Sequence, residues 1–233
     1  MLWGLQPVEQ QPAYGLAVEV LRRQVHLGHL EASERLPAER SLAEQLGVSR
    51  VTLREALRVL EAEGYFIVRR GPQGGTFVND VDALRELSAR RIGRDPGMVM
   101  RVLEFRDANE TTAARLAAAR RTPTDLSNLE AALKPMRADD APARLRRAEA
   151  MFHLAIGDAS HNPLLAKSIE EAHAALFVLP DERGNAALKK RVLDTRERLF
   201  AAIRDRRGQD AEDAAKDVIA ADRARMPVLA RIA

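Results

Sequence analysis

The sequence predicts a mainly α protein: a small N-terminal unit carrying one β-hairpin, then an all-helical bundle. Three observations predict it. Two short amphipathic segments meet at a tight turn near Gly47. Two β-prone runs flank a glycine-rich stretch at residues 71–75. Beyond residue 80 the periodicity is helical, with no convincing strand. Composition agrees: hydrophobic residues make up 46% of the 233-residue chain and aromatic ones only 4%. Ala, Leu and Arg dominate, a mixture that favours helix over sheet. The absence of cysteine excludes disulfides, thiolate–metal sites and a cysteine nucleophile. The first fifteen residues lack the basic start and apolar core of a signal peptide, and no apolar run is long enough to span a bilayer. The expectation is a soluble, cytoplasmic protein without a membrane partner. Net charge is +3, and residues 1–78 carry nine Arg against nine Glu. A nucleic-acid partner must therefore be argued from where charges sit, not from their sum.

Residues 1–12 read as a loose leader. A first helix is expected at 14–27, with Leu16, Val20, Leu21 and Val25 near one face and Gly28 as terminator. His26 and His29 fit helix-end positions better than metal ligands. Pro37 suits the first position of a second helix, 38–46, whose Leu42, Ala43 and Leu46 face inward. Gly47 closes it, Val48 plugs the turn, and Ser49 is placed to cap a third helix, 50–63. That helix carries Leu53, Ala56, Leu57 and Leu60 on one side, and Arg50, Arg54 and Arg58 at i, i+4 and i+8 on the other. Stacked like charges fit an anionic partner such as a DNA major groove, or a solvated face with Arg58 paired to Glu55 and Glu61. Residues 66–70 and 76–78 then form a hairpin. Together these elements make a winged helix-turn-helix. Its glycine-rich tip, flanked by Arg69 and Arg70, lets the backbone approach a phosphate or a minor groove. An ordinary hairpin covering the core is the other reading.

The remaining elements are helices. Asn79 or Asp80 caps a linker helix, 81–92, and Gly93 to Gly97 form a turn cluster. Helices follow at 98–121, 124–138, 143–159, 163–179, 185–206 and 210–232, with breaks at Asp139–Pro142 and Pro180–Gly184 and a kink or end at Pro227. Asn162 and Pro163 make a cap-plus-proline start. The predicted domains are 10–79, the winged helix-turn-helix; 80–95, a linker helix; and 96–233, an all-helical bundle of six or seven helices.

The segment LPAERSLAEQLGVSRVTLREALRVLEAEGYFIVRRGPQGGTFV resembles the N-terminal domain of the GntR family of bacterial transcription regulators. PAER, GVSR-x-TLREAL, L-x-x-EG and the wing glycines coincide in order. The resemblance implies roles by position. Arg40 contacts the DNA backbone and groove edge. Ser49 and Arg50 form the turn and the first residue of the recognition helix. Arg50 and Arg54 read base edges, most often guanine, and Thr52 contacts phosphate. Arg70 and Gly71 sit at the wing tip in the minor groove. Val51 replaces a small polar residue and is suited to a thymine methyl. The family also implies a homodimer on a pseudo-palindromic double-stranded operator, usually as a repressor.

The helical half resembles the FCD domain of the FadR subgroup, through VLEFRDANETTAARLAAAR and EAMFHLAIGDASHNPLL. Such domains usually hold a divalent metal through one aspartate and three histidines, and the metal binds an organic acid. Glu149 and His153 fall on the first two ligand positions. The third falls near Arg196 and the fourth near Ala221 or Asp222, so the set is incomplete and no cofactor is expected. Arg106 matches an arginine that binds ligand carboxylate. Arg106 and Arg196 then suggest a small carboxylate effector held directly by two guanidiniums, with Glu149, His153 and Asn162, and also His161 and His173, near it. Arg196 paired with Glu149 as a purely structural bridge is the alternative. At the level of function, the alternative is a ligand-independent DNA-binding or architectural protein whose helical half only dimerises. One carboxylate and one histidine without a nucleophile do not make an enzyme.

Overall fold

The computed structural model describes residues 13–138, 142–177 and 186–225. The expected leader, most of the break at 139–142, the loop at 180–184 and the effect of Pro227 lie outside them. The first helix, α1, is Ala13–His26. Both it and α2, Glu39–Leu46, pack on α3, Arg50–Glu63. Gly47 and Gly64 close α2 and α3 with φ of 66° and 94°, left-handed conformations that cost glycine nothing. Ser49 Oγ accepts the Thr52 N–H at 3.0 Å and starts α3. Ala38 occupies the cap of α2. Pro37 therefore stands one residue outside the helix rather than at its first position.

Strands β1, Phe66–Arg69, and β2, Gly75–Val78, pair antiparallel, with Phe66 opposite Val78 and Arg69 opposite Gly75. Arg35 adds an isolated bridge to Phe77. Helix α4, Val81–Arg94, is capped by Asp80, and α5 follows as Pro96–Arg120. The expected turn cluster at 93–97 shrinks to Asp95, whose side chain caps α5 by accepting the Met98 N–H.

The rest is α6, Pro123–Arg137, α7, Pro142–Ala159, α8, Pro163–Ala175, α9, Ala186–Arg204, and α10, Gly208–Ala224. A capping box between Thr122 and Asp125 starts α6. The described residues thus form ten helices and one hairpin.

Two large cores carry the fold. The bundle core is alanine-rich, with Ala113, Ala114, Ala117, Ala118, Ala159 and Ala211 fully enclosed around Phe152, Leu129, Leu133 and Ile203. Small side chains let α5, α7, α9 and α10 approach closely. The N-terminal core gathers Leu21, Leu53, Leu60, Tyr65 and Phe66, and it also takes Phe177 from beyond α8.

Candidate nucleic-acid interface and buried ion-pair centre

The third helix presents its predicted faces. Leu53, Ala56, Leu57 and Leu60 are buried, while Arg50, Arg54 and Arg58 are exposed. Arg54 Nε donates to Glu39 Oε2 at 2.7 Å and Arg40 Nε to Glu44 Oε1 at 3.1 Å. Neither Arg50 nor Arg58 has an ion-pair partner among the described residues. The expected pairing of Arg58 with Glu55 or Glu61 is therefore absent. Arg58 instead lines a groove of about 750 Å³ between α3 and the wing, with Arg35 and Arg54. Ser49 and Thr52 bond to each other through their hydroxyls at 2.8 Å, beside Arg50.

Arg70 and Gly71 lie exposed at the wing tip, where Gly71 has φ of 102°. The tip depends on Gly74. A Cβ there would fall 2.5 Å from the Arg69 carbonyl oxygen and 2.7 Å from that of Gly71. Arg35 anchors the same turn by donating to the Gly74 carbonyl at 2.6 Å, a role that its place in the loop before α2 did not reveal.

A second concentration of charge lies inside the bundle. Arg106 and Glu110 sit one turn apart on α5, and both are buried. Arg106 donates to Glu110 Oε1 through Nε at 2.6 Å, and to Asp222 Oδ2 on α10 through Nη2 at 2.9 Å. Arg196, on α9 and 1% exposed, donates to the other oxygen, Asp222 Oδ1, at 2.6 Å. One carboxylate thus sits between two guanidiniums. Glu110 also meets His153 Nδ1 at 2.8 Å and His173 Nε2 at 2.9 Å. Burial opposes charge on Glu110 and Asp222, but the arginines and imidazoles outweigh it and hold both carboxyls well below their usual range. Burial, with Arg106 and His153 adding to it, pushes His173 down to about 3 and keeps it neutral.

Of the predicted effector residues, Arg106, His153 and Arg196 converge. Glu149 lies beside them but pairs with Arg225 at 2.6 Å, so the expected alternative of a Glu149–Arg196 bridge gives way to Arg196–Asp222. Asn162 is elsewhere: its Oδ1 caps α8 by accepting the Leu164 N–H at 3.1 Å, about 16 Å along the helix axis from His173. His161 pairs with Asp125 at 2.9 Å. Sequence reasoning missed Glu110 and Arg225 and placed Asp222 and His173 only loosely. The available signal was the Arg106/Glu110 spacing of four on an otherwise alanine-rich helix.

The family's metal does not fit these residues. At the third ligand position Arg196 offers only N–H donors, and its guanidinium lies on Asp222, the neighbouring position. Glu110, His153 and His173 do place three donor atoms within 4.8 Å of one another. Glu110, however, is already saturated by Arg106 and both imidazoles, and a dication there would meet the Arg106 guanidinium in a low-dielectric interior.

Comparison with known proteins agrees with the architecture. Residues 13–78 match the family described as bacterial regulatory proteins, gntR family, and residues 101–221 match the FCD domain. The chain is 42% identical over 151 residues to the "Putative L-lactate dehydrogenase operon regulatory protein" of Escherichia coli K12, covering 60% of this chain and 56% of that protein. It thus spans little more than half of that relative. It is 33% identical over 197 residues to the HTH-type transcriptional regulator LutR of Bacillus subtilis, covering 80% and 89%. It is 31% identical over 222 residues to the galactonate operon transcriptional repressor of E. coli K12, covering 90% and 94%. The E. coli McbR/YncC structure superposes with a TM-score of 0.55 at 23% identity, over 96% of this chain and all of that one. The helix-turn-helix, the glycine wing and the helical bundle thus belong to a transcriptional regulator of the GntR family that carries an FCD domain.

Proposed function

We propose that the protein is a homodimeric repressor of the FadR subgroup in the cytoplasm, which binds a pseudo-palindromic operator and releases it in response to a small hydroxy-carboxylate. Domain limits of 10–79, 80–95 and 96–233 go with this reading. None of the described helices is long and apolar enough to cross a membrane. Arg50 and Arg54 read base edges, Arg40 and Thr52 engage phosphates, and Arg70 and Gly71 enter the minor groove.

One observation carries the effector assignment: Arg106 and Arg196 share a single carboxylate, that of Asp222. Two guanidiniums converging on one carboxylate are built for carboxylate recognition. An incoming acid exchanges with Asp222 like for like, and Arg225, 3.6 Å from Asp222 Oδ1, receives the displaced side chain. The names of the relatives, which concern L-lactate and galactonate operons, favour hydroxy acids as the class. Calorimetry with L-lactate and D-galactonate, with and without chelator, tests this. Binding should survive the chelator and be lost in Arg196→Ala. A chelator-sensitive affinity, or an unchanged affinity in Arg196→Ala, overturns it. The operator itself is recovered by selection from a random duplex pool.

The same observation supports a second reading, in which Asp222 is a permanent internal lock and the helical half only dimerises. In that case no small acid raises the melting temperature.

A further inference from the structure

The last turn of α8 runs from the buried ion-pair centre into the N-terminal core. His173 bonds to Glu110. One residue later, the Ala174 carbonyl oxygen lies 2.5 Å from His26 Nδ1, at the end of α1. Three residues further, Phe177 stacks on the His26 ring, with centroids 4.4 Å apart and planes within 7°. The Phe177 carbonyl accepts from Ser88 Oγ on α4 at 2.7 Å. From α7, Arg146 donates to the His26 carbonyl oxygen. His26 therefore receives contacts from both helices that carry the cluster's imidazoles.

On its other side His26 Nε2 lies 2.7 Å from the Tyr65 hydroxyl. Tyr65 is fully buried and directly follows Gly64, the residue that closes α3. The proton positions follow from the partners. Nδ1 faces a carbonyl and must donate, so Nε2 accepts from Tyr65. Burial lowers the His26 pKa to about 3, which keeps this single tautomer across physiological pH. Residues 173–177, 26 and 65 form an unbroken line of contacts from Glu110 to the end of the recognition helix.

We propose that His26 is the positioning residue that sets the recognition helix according to the state of the buried arginine–carboxylate centre, acting through Ala174 and Phe177 on one side and Tyr65 on the other. This rests on the reading that the centre senses a carboxylate. A change at Asp222 or Glu110 moves the end of α8, and His26 passes the movement to Tyr65 and α3. The coupling is a difference in free energy between two arrangements, so it is measurable as a change in operator affinity.

The test uses full-length protein and the selected operator, with fluorescence anisotropy for DNA and calorimetry for L-lactate as probe. Wild type, Tyr65→Phe and His26→Gln are compared, each checked for a cooperative thermal melt. L-lactate should shift the wild-type operator Kd about fivefold or more. Tyr65→Phe should bind L-lactate and free operator within about threefold of wild type, yet lose most of that shift. His26→Gln, which withdraws the Nδ1 donor, should behave likewise. Folded variants that respond like wild type overturn the proposal.

A ligand-free perturbation separates this outcome from failure of the effector reading. Asp222→Asn alters the centre from within, and its change in operator Kd should shrink in the Tyr65→Phe background. If L-lactate does not bind but this double-mutant coupling is present, the probe was wrong and the relay stands. If neither L-lactate nor Asp222→Asn changes operator binding, or if their effects simply add to that of Tyr65→Phe, the relay is overturned.

Discussion

Arg50 and Arg54 lie one turn apart on the exposed face of α3, yet only Arg54 holds an internal carboxylate, that of Glu39. Under the proposed function, Arg54 exchanges Glu39 for a DNA contact, whereas Arg50 gives up no ion pair. Arg50→Ala should cost about 1–3 kcal/mol of discrimination at one base position. Arg58 lies about 12 Å further along the helix, so Arg58→Ala should weaken all sequences alike and reduce the salt dependence by about one counterion. Anisotropy titrations on cognate and mutated operators at several salt concentrations separate the two. Inside the bundle, Glu110 compensates Arg106 and accepts from two imidazoles. Glu110→Gln leaves Arg106 under-compensated and presents an amide N–H where only acceptors fit. The expected loss is about 3–5 kcal/mol, read by denaturant unfolding.

At the scale of elements, the wing depends on one glycine. Gly74→Ala forces a Cβ onto the Arg69 and Gly71 carbonyls, so the turn must open. Operator affinity should fall about tenfold, roughly 1.4 kcal/mol, with the thermal melt of the bundle unchanged. Such elements were legible in sequence because their signals are local. Ser49, Gly47, Gly64 and Thr122 each mark a helix end within a few residues. The end of α8 was not legible. Apolar periodicity carries it to residue 179, but the helix stops at Ala175 because Phe177 is drawn into the other core. The buried centre was half legible. Arg106 and His153 were found through their motifs, and Arg196 because it stands where the family's third ligand would fall. Glu110 and His173 were missed or undervalued because their partners come from different helices, far apart in the chain, and no periodicity joins them.

Across the whole molecule, two histidines stay neutral through burial. His26 and His173 are both held near pKa 3, against about 6.5 in an unfolded chain. Below that value the unfolded chain binds protons that the native state does not, so stability falls as pH falls. Between pH 7 and 5 the loss should be about 2–4 kcal/mol for the pair, measured by urea unfolding at the two pH values. Glu110 and Asp222, held below their usual range, extend the decline into more acidic conditions, because each stabilises only while ionised. The two halves also meet at Gly28, which has φ of 73° and where a Cβ would lie 2.9 Å from the Arg147 backbone. Phe177, seated in the N-terminal core although it belongs to the chain beyond α8, makes the protein poorly modular. A fragment ending near residue 80 lacks one of its own core side chains. A chimaera that joins this N-terminal unit to a foreign helical domain inherits that gap, unless the graft carries an aromatic at the equivalent of position 177. Successful domain exchange in this architecture should therefore follow the match at position 177, and the fit of the backbone at position 147 against Gly28, more closely than overall identity across the junction.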